Sequence, residues 1–104
     1  MSLMVFTKVV QADEIAEGTM IGGELNGKKI VIANLNGTFY AIGNECTHLG
    51  CNLSDGVIEG AHITCFCHGS TFDLKTGRVI QGPAEVPEPS YKVKVENGEL
   101  MIDL

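Results

Sequence analysis

Apolar residues along this chain fall mostly in short alternating runs, and glycine-containing turns separate the runs. In "YKVKVE", Tyr91, Val93 and Val95 point one way and Lys92, Lys94 and Glu96 the other, which is the period of a half-buried strand. Leu100, Ile102 and Leu104 repeat that alternation. Asn-Gly stands at 26–27, 36–37 and 97–98, each time between apolar runs. Both central residues of a type I′ turn need positive φ, so this dipeptide is the strongest short-range hairpin signal. The first two turns join Met20–Leu25, Lys28–Leu35 and Thr38–Gly43 into a meander, and the third joins Tyr91–Glu96 to Glu99–Leu104. Shorter strands are expected at Val5–Val10, Val57–Glu59, His62–Cys65, Thr71–Asp73 and Val79–Ile80, with "LKTG" at 74–77 as a hairpin turn. Only "ADEIAEG" at 12–18 could hold a helical turn. Many short strands with regular turns predict an all-β antiparallel sandwich or barrel.

The chain has 104 residues, which is one domain's worth and enough to bury a core without obligatory metals or disulfides. No apolar run exceeds four residues, against roughly 18 needed to span a bilayer. No charged-then-apolar leader opens the chain, Met1-Ser2-Leu3 ahead of Met4 reads as an expression remnant, and the expected compartment is the cytoplasm. The net charge of −6 argues against nucleic acid and anionic membrane surfaces, both of which need a basic footprint. It is compatible with a basic protein partner, as it is with plain solubility.

The chemistry lies in "ECTHLGC", residues 45–51, and "CFCHGS", residues 65–70, which hold all four cysteines and two of the three histidines. Both stretches leave strands, so two loops can converge on one site. Four soft or borderline ligands converging point to a metal. Structural zinc usually takes Cys-x₂₋₄-Cys and His-x₃₋₅-His pairs, whereas here each loop supplies one Cys and one His. A four-cysteine plant-type cluster is suggested by Cys46-x₄-Cys51, but the next spacing fails at Cys65 and Cys67. A Rieske [2Fe–2S] centre, with two thiolates on one iron and two imidazoles on the other, fits Cys46, His48, Cys65 and His68 without remainder. Zinc, or buried thiols with core histidines, stays as the alternative.

The motif Cys-x-His-x₁₆-Cys-x-x-His identifies the chain by resemblance as a Rieske-type ferredoxin. Residues 37–83 resemble the family's whole cluster-binding region, and the flanking strands resemble the rest of the domain more loosely. The resemblance implies one domain over 1–104, with a small cluster-binding subdomain at about 44–83 formed by two loops. It also implies one [2Fe–2S] cluster held by Cys46, His48, Cys65 and His68.

Cys51 and Cys67 are not needed as ligands. The resemblance to the cytochrome-complex type, which carries "CTHLGC" and a Cys-x-Cys-His-Gly-Ser loop, implies a Cys51–Cys67 disulfide over the cluster. The opposing consideration is that the cytosol keeps most cysteines reduced. Ser70 stands where that type uses a hydroxyl to hydrogen-bond a cluster sulfur, and Phe72 stands where it has a tyrosine. Ser70, Phe72, Leu49 and Pro83 are the expected tuning residues, and "GPAEVPEPS" at 82–90 is the expected cover on the cluster's third side. His62, among polar neighbours in a strand, is expected to be exposed and not a ligand. Asp55 and Glu59 could help docking, though a solvated face explains them equally well.

A cluster with every iron position filled offers no site for a substrate, so the available chemistry is one-electron transfer. The resemblance implies a soluble carrier, not itself an enzyme, passing electrons from a reductase to a terminal oxygenase or other redox enzyme. It binds no small-molecule substrate directly. The alternative is a non-catalytic small subunit of a larger enzyme such as a nitrite reductase, a class that often lacks the four ligands retained here.

Overall fold

The computed structural model describes residues 6–47, 50–67 and 69–103. Its architecture is three antiparallel sheets stacked so that the middle one is covered on both faces. The middle sheet runs β2 (Met20–Leu25), β3 (Lys28–Leu35), β4 (Thr38–Gly43) and β9 (Ser90–Tyr91), in that order. β3 carries the run "IVIA", and the reason it is continuous is visible in the packing. Ile30 and Ile32 enter one buried cluster with Ala41, Leu100 and Ile102, while Val31 and Ala33 enter the other with Ile42, Leu53, Ile63 and Phe72. A strand buried on both faces loses the polar half of its alternation. Each such branched side chain contributes about 1.5–3 kcal/mol by leaving water.

One outer sheet pairs β1 (Phe6–Gln11), β11 (Glu99–Asp103) and β10 (Val93–Glu96), with β11 central. The other pairs β5 (Val57–Glu59), β6 (His62–Thr64), β7 (Thr71–Asp73) and β8 (Val79–Gln81) in chain order. This smaller sheet and the loops beside it form the region in which all four cysteines lie. The all-β antiparallel class expected from the alternation is therefore the observed one.

The Asn-Gly turns behave as the dipeptide predicts. Asn26, Asn36 and Asn97 have φ of 52°, 56° and 53°, and each following glycine is also positive. Strands β2, β3, β4, β5 and β7 have the expected bounds, and the helical turn shrinks to a 3-10 turn at Ala12–Glu14. His62 is exposed, as expected of it. Val5 and Leu104 lie outside the described residues.

Three expectations need correction. The segment at 12–18 is not alone in holding a helical turn: Leu53–Asp55 forms a second 3-10 turn, because the Asp55 N–H closes on the Asn52 carbonyl (3.1 Å) while Leu53 is buried. Tyr91–Glu96 is not one strand: Ser90–Tyr91 pairs with β4 in the middle sheet, and from Val93 the chain pairs with β11 in the outer sheet. Lys92 is the corner at which the chain changes sheets. Nor is Val95 inward-facing, for it is 48% exposed on β10, an edge strand of its sheet.

Candidate metal centre

The first loop leaves β4 at Asn44, a buried residue whose contacts close the loop at its base. Asn44 Nδ2 donates to Ser54 Oγ (3.1 Å), its Oδ1 accepts the Ser54 N–H (2.8 Å), and its carbonyl accepts the Leu53 N–H (2.7 Å). Glu45 and Asn52 form an isolated antiparallel bridge one step further on. Above the bridge the Cys46 N–H donates to the Cys51 carbonyl (2.7 Å), and the Gly50 N–H donates to the Cys46 carbonyl (2.7 Å).

The second loop joins β6 to β7 and repeats this design. The Cys65 N–H donates to the Ser70 carbonyl (2.8 Å), and the Gly69 N–H donates to the Cys65 carbonyl (3.1 Å). In both loops the cysteine bonds to residues four and five places on. Gly50 and Gly69 hold the matching positions with φ of 79° and 82°, a region that side chains with a Cβ rarely adopt. Two loops of equal construction thus hold Cys46 and Cys65 at equivalent backbone positions.

Cys46 and Cys65 are buried in one apolar cluster with Leu53, Phe72 and Ala84, and neither is in a disulfide. The bridge is Cys51–Cys67, with Cα atoms 6.5 Å apart, and it ties the two loops together. The sulfurs of Cys51, Cys65 and Cys67 lie within 4.8 Å of one another. Because two of the three are bonded to each other, this group is a staple set against one thiol and not a three-thiolate metal site. His48, Leu49 and His68 lie outside the described residues.

The loop at 82–90 closes the third side by bonding to both cysteine loops. Thr47 Oγ1 donates to the Val86 carbonyl (2.6 Å), and the Ala84 N–H donates to Ser70 Oγ (3.0 Å). Ala84 and Ser70 are buried, whereas Pro83 is exposed. Phe72 is fully buried beside the cysteines, opposite Ile63 and Val79 across the sheet. Phe66 and Val86 stand out as exposed apolar side chains, at 63% and 59%. They sit on the second cysteine loop and the cover respectively.

Glu88 was not visible as a site residue in the sequence. The residue is only 5% exposed, and its carboxyl accepts the backbone N–H of Thr47, in the middle of the Cys46-x-His48 segment. Burial pushes the carboxyl up to about 7, the Thr47 bond pulls it back, and the charge of Glu45 raises it further. Nothing local announces this: a glutamate between two prolines reads as solvent-facing. Its only trace lies elsewhere, in Gly43 and Gly77, where a Cβ would meet Glu88.

The arrangement suits an iron–sulfur group. It offers two buried thiols in no disulfide, on loops of equal design, with a covalent staple and a bonded cover around them. No helix among the described residues is long and apolar enough to cross a membrane.

Comparison with known proteins agrees with this geometry. The family model for the Rieske [2Fe-2S] domain matches residues 5–93. The ferredoxin component of the naphthalene 1,2-dioxygenase/salicylate 5-hydroxylase systems of Ralstonia sp. is 38% identical over 92 residues, 88% of each chain. The ferredoxin of carbazole 1,9a-dioxygenase from Nocardioides aromaticivorans IC177 superposes with a TM-score of 0.91 at 26% identity, covering 94% of this chain and 96% of that one. A ferredoxin chain solved in complex with the reduced oxygenase of carbazole 1,9a-dioxygenase gives 0.89 at 28% identity, covering 97% and 94%. Two cysteine loops of one design, stapled and covered, together with these likenesses, establish that this chain belongs to the Rieske [2Fe–2S] domain family.

Proposed function

We propose that this protein is the ferredoxin component of a ring-hydroxylating dioxygenase-type system, carrying single electrons from a reductase to a terminal oxygenase in the cytoplasm. In this reading Cys46 and Cys65 hold one iron of a [2Fe–2S] cluster, His48 and His68 hold the other, and residues 1–104 form one domain with its cluster region at about 44–83. A bound cluster of this kind accepts and releases one electron at a time. The observation that carries the reading is the pair of matched loops around Cys46 and Cys65, closed by the Cys51–Cys67 bridge and by the cover at 82–90.

The chain's own residues supply the conditions for transfer. The two loops and their staple hold the ligand positions fixed, so little rearranges when an electron arrives. Leu53, Phe72 and Ala84 exclude water from the inner side of the thiols. Phe66 and Val86 leave apolar surface exposed beside the ligand loops, where a redox partner can approach within short range. The acidic balance of the chain favours a basic partner face.

The test is a reconstituted chain of transfer. The protein, reduced anaerobically by a flavin reductase, is mixed with the oxidised oxygenase of an aromatic dioxygenase system, and bleaching and recovery of both visible spectra are followed. Rapid reoxidation of this protein with matching reduction of the oxygenase is expected. A protein that takes up electrons yet passes none to any such oxygenase, and co-purifies with a large enzyme, belongs to the subunit class instead.

A further inference from the structure

Glu88 is the one buried side chain among the described residues that carries a polar atom without a hydrogen-bond partner, its Oε2. Stranding such an atom is destabilising, and more so when it bears charge. The surroundings nonetheless fit this residue closely. A Cβ at Gly43 would collide with the Glu88 carboxyl, and a Cβ at Gly77 with its backbone carbonyl. The Glu88 N–H is held by the Gly77 carbonyl (2.8 Å), and the next residue's carbonyl accepts the Gly43 N–H (2.9 Å). Backbone bonds on both sides therefore hold the Glu88 main chain in place, and its carboxyl accepts a hydrogen bond from the backbone of Thr47. The Thr47 side chain is in turn bonded to the cover at Val86. Both polar ends of Thr47 are thus tied to the loop that contains Glu88.

We propose that Glu88 is a positioning residue of the metal centre: its carboxyl fixes the Thr47 N–H, and so the backbone between Cys46 and His48, and sets a charge behind that segment that tunes the reduction potential. The proposal rests on the Rieske reading of the site. An ionised carboxylate there opposes the arrival of an electron and lowers the potential, and a protonated one does not. Among the described residues, few groups face Glu88. Glu45 on the first loop raises its proton affinity and is itself paired with Lys29 (3.4 Å). Tyr91 on β9 is shifted upward by its own burial and then by Glu88. The turn at 74–78 presents the backbone of Gly77. With the carboxyl titrating near neutrality, the potential of the wild-type protein should step downward as pH rises through that range.

The experiment is protein-film voltammetry of the cluster-loaded wild type and E88Q from acid to alkaline pH, with visible spectra and melting curves alongside. E88Q is expected to keep the spectrum, to lose the neutral-range step, and to sit above the wild type at alkaline pH. Any step arising from ligand histidines persists in both proteins. An E88Q potential that tracks the wild type at every pH overturns the proposal. Should E88Q fail to hold a cluster, redox-difference infrared spectroscopy of the wild type decides. A protonated-carboxyl stretch that responds to reduction near neutral pH supports the proposal, and its absence overturns it. A wild-type potential typical of all-cysteine clusters would refute the Rieske reading itself, and that result is separate from any difference between the two proteins.

Discussion

Ser70 and Ala84 are joined inside the protein: the Ala84 backbone N–H donates to the Ser70 hydroxyl oxygen at 3.0 Å, and both residues are buried. This bond ties the cover to the second cysteine loop. Because the oxygen serves here as acceptor, the hydroxyl proton is left to donate in another direction. A donor to cluster sulfur stabilises the more negative, reduced state and raises the potential.

Replacing Ser70 by Ala should therefore do two things at once. It strands the Ala84 N–H, at about 1–3 kcal/mol of stability, and it removes the hydroxyl proton. A lower Tm and a lower potential are expected together, read by calorimetry and voltammetry. A lowered Tm with an unmoved potential would confine Ser70 to holding the cover.

The Cys51–Cys67 bridge, spanning a sequence separation of 16, joins the two cysteine loops. A closed loop of that size is associated with about 3 kcal/mol of stabilisation. The double change to Ser should still assemble a cluster but lose it sooner on heating. Thiol labelling of the unfolded, unreduced apo-protein checks the bridge directly, with two reactive cysteines expected and not four.

Glu88 also links stability to pH. Its folded-state value of about 7 lies above the ordinary 4.5, so the native protein binds more protons than the unfolded chain between those values. Stability is then greatest at the acid end and falls as pH rises through about 7. That direction is opposite to the usual one for a paired carboxylate. Melting curves of the metal-free protein between about pH 5 and about pH 8 should show the decline, and E88Q should flatten it.

Much of this was legible from local patterns. Asn-Gly dictated three turns because few other dipeptides accept two positive φ values, and period-two alternation placed strands such as β5 and β7 to the residue. The ligand spacing pointed to the centre because iron–sulfur chemistry restricts which residues converge. What escaped depends on neighbours distant in sequence. The change of sheet at Lys92 leaves the alternation of "YKVKVE" intact, so no periodicity marks it. Val95 follows the same pattern and is exposed on β10, an edge strand of its sheet. Glu88 is buried by Gly43 and Gly77, 45 and 11 residues away, and its own stretch of prolines and acids gave the opposite signal.

The central claim is a histidine-ligated cluster, and its reduction potential tests that claim most directly. Imidazoles place less negative charge on iron than thiolates do, so Rieske centres span roughly −150 to +300 mV against about −400 mV for plant-type ferredoxins. On this account Ser70 would raise the value, while the carboxylate of Glu88 and the absence of a hydroxyl at Phe72 would hold it down. Voltammetry of the freshly purified protein at neutral pH should give a value inside the Rieske span and short of its upper end. A value near −400 mV would contradict the account.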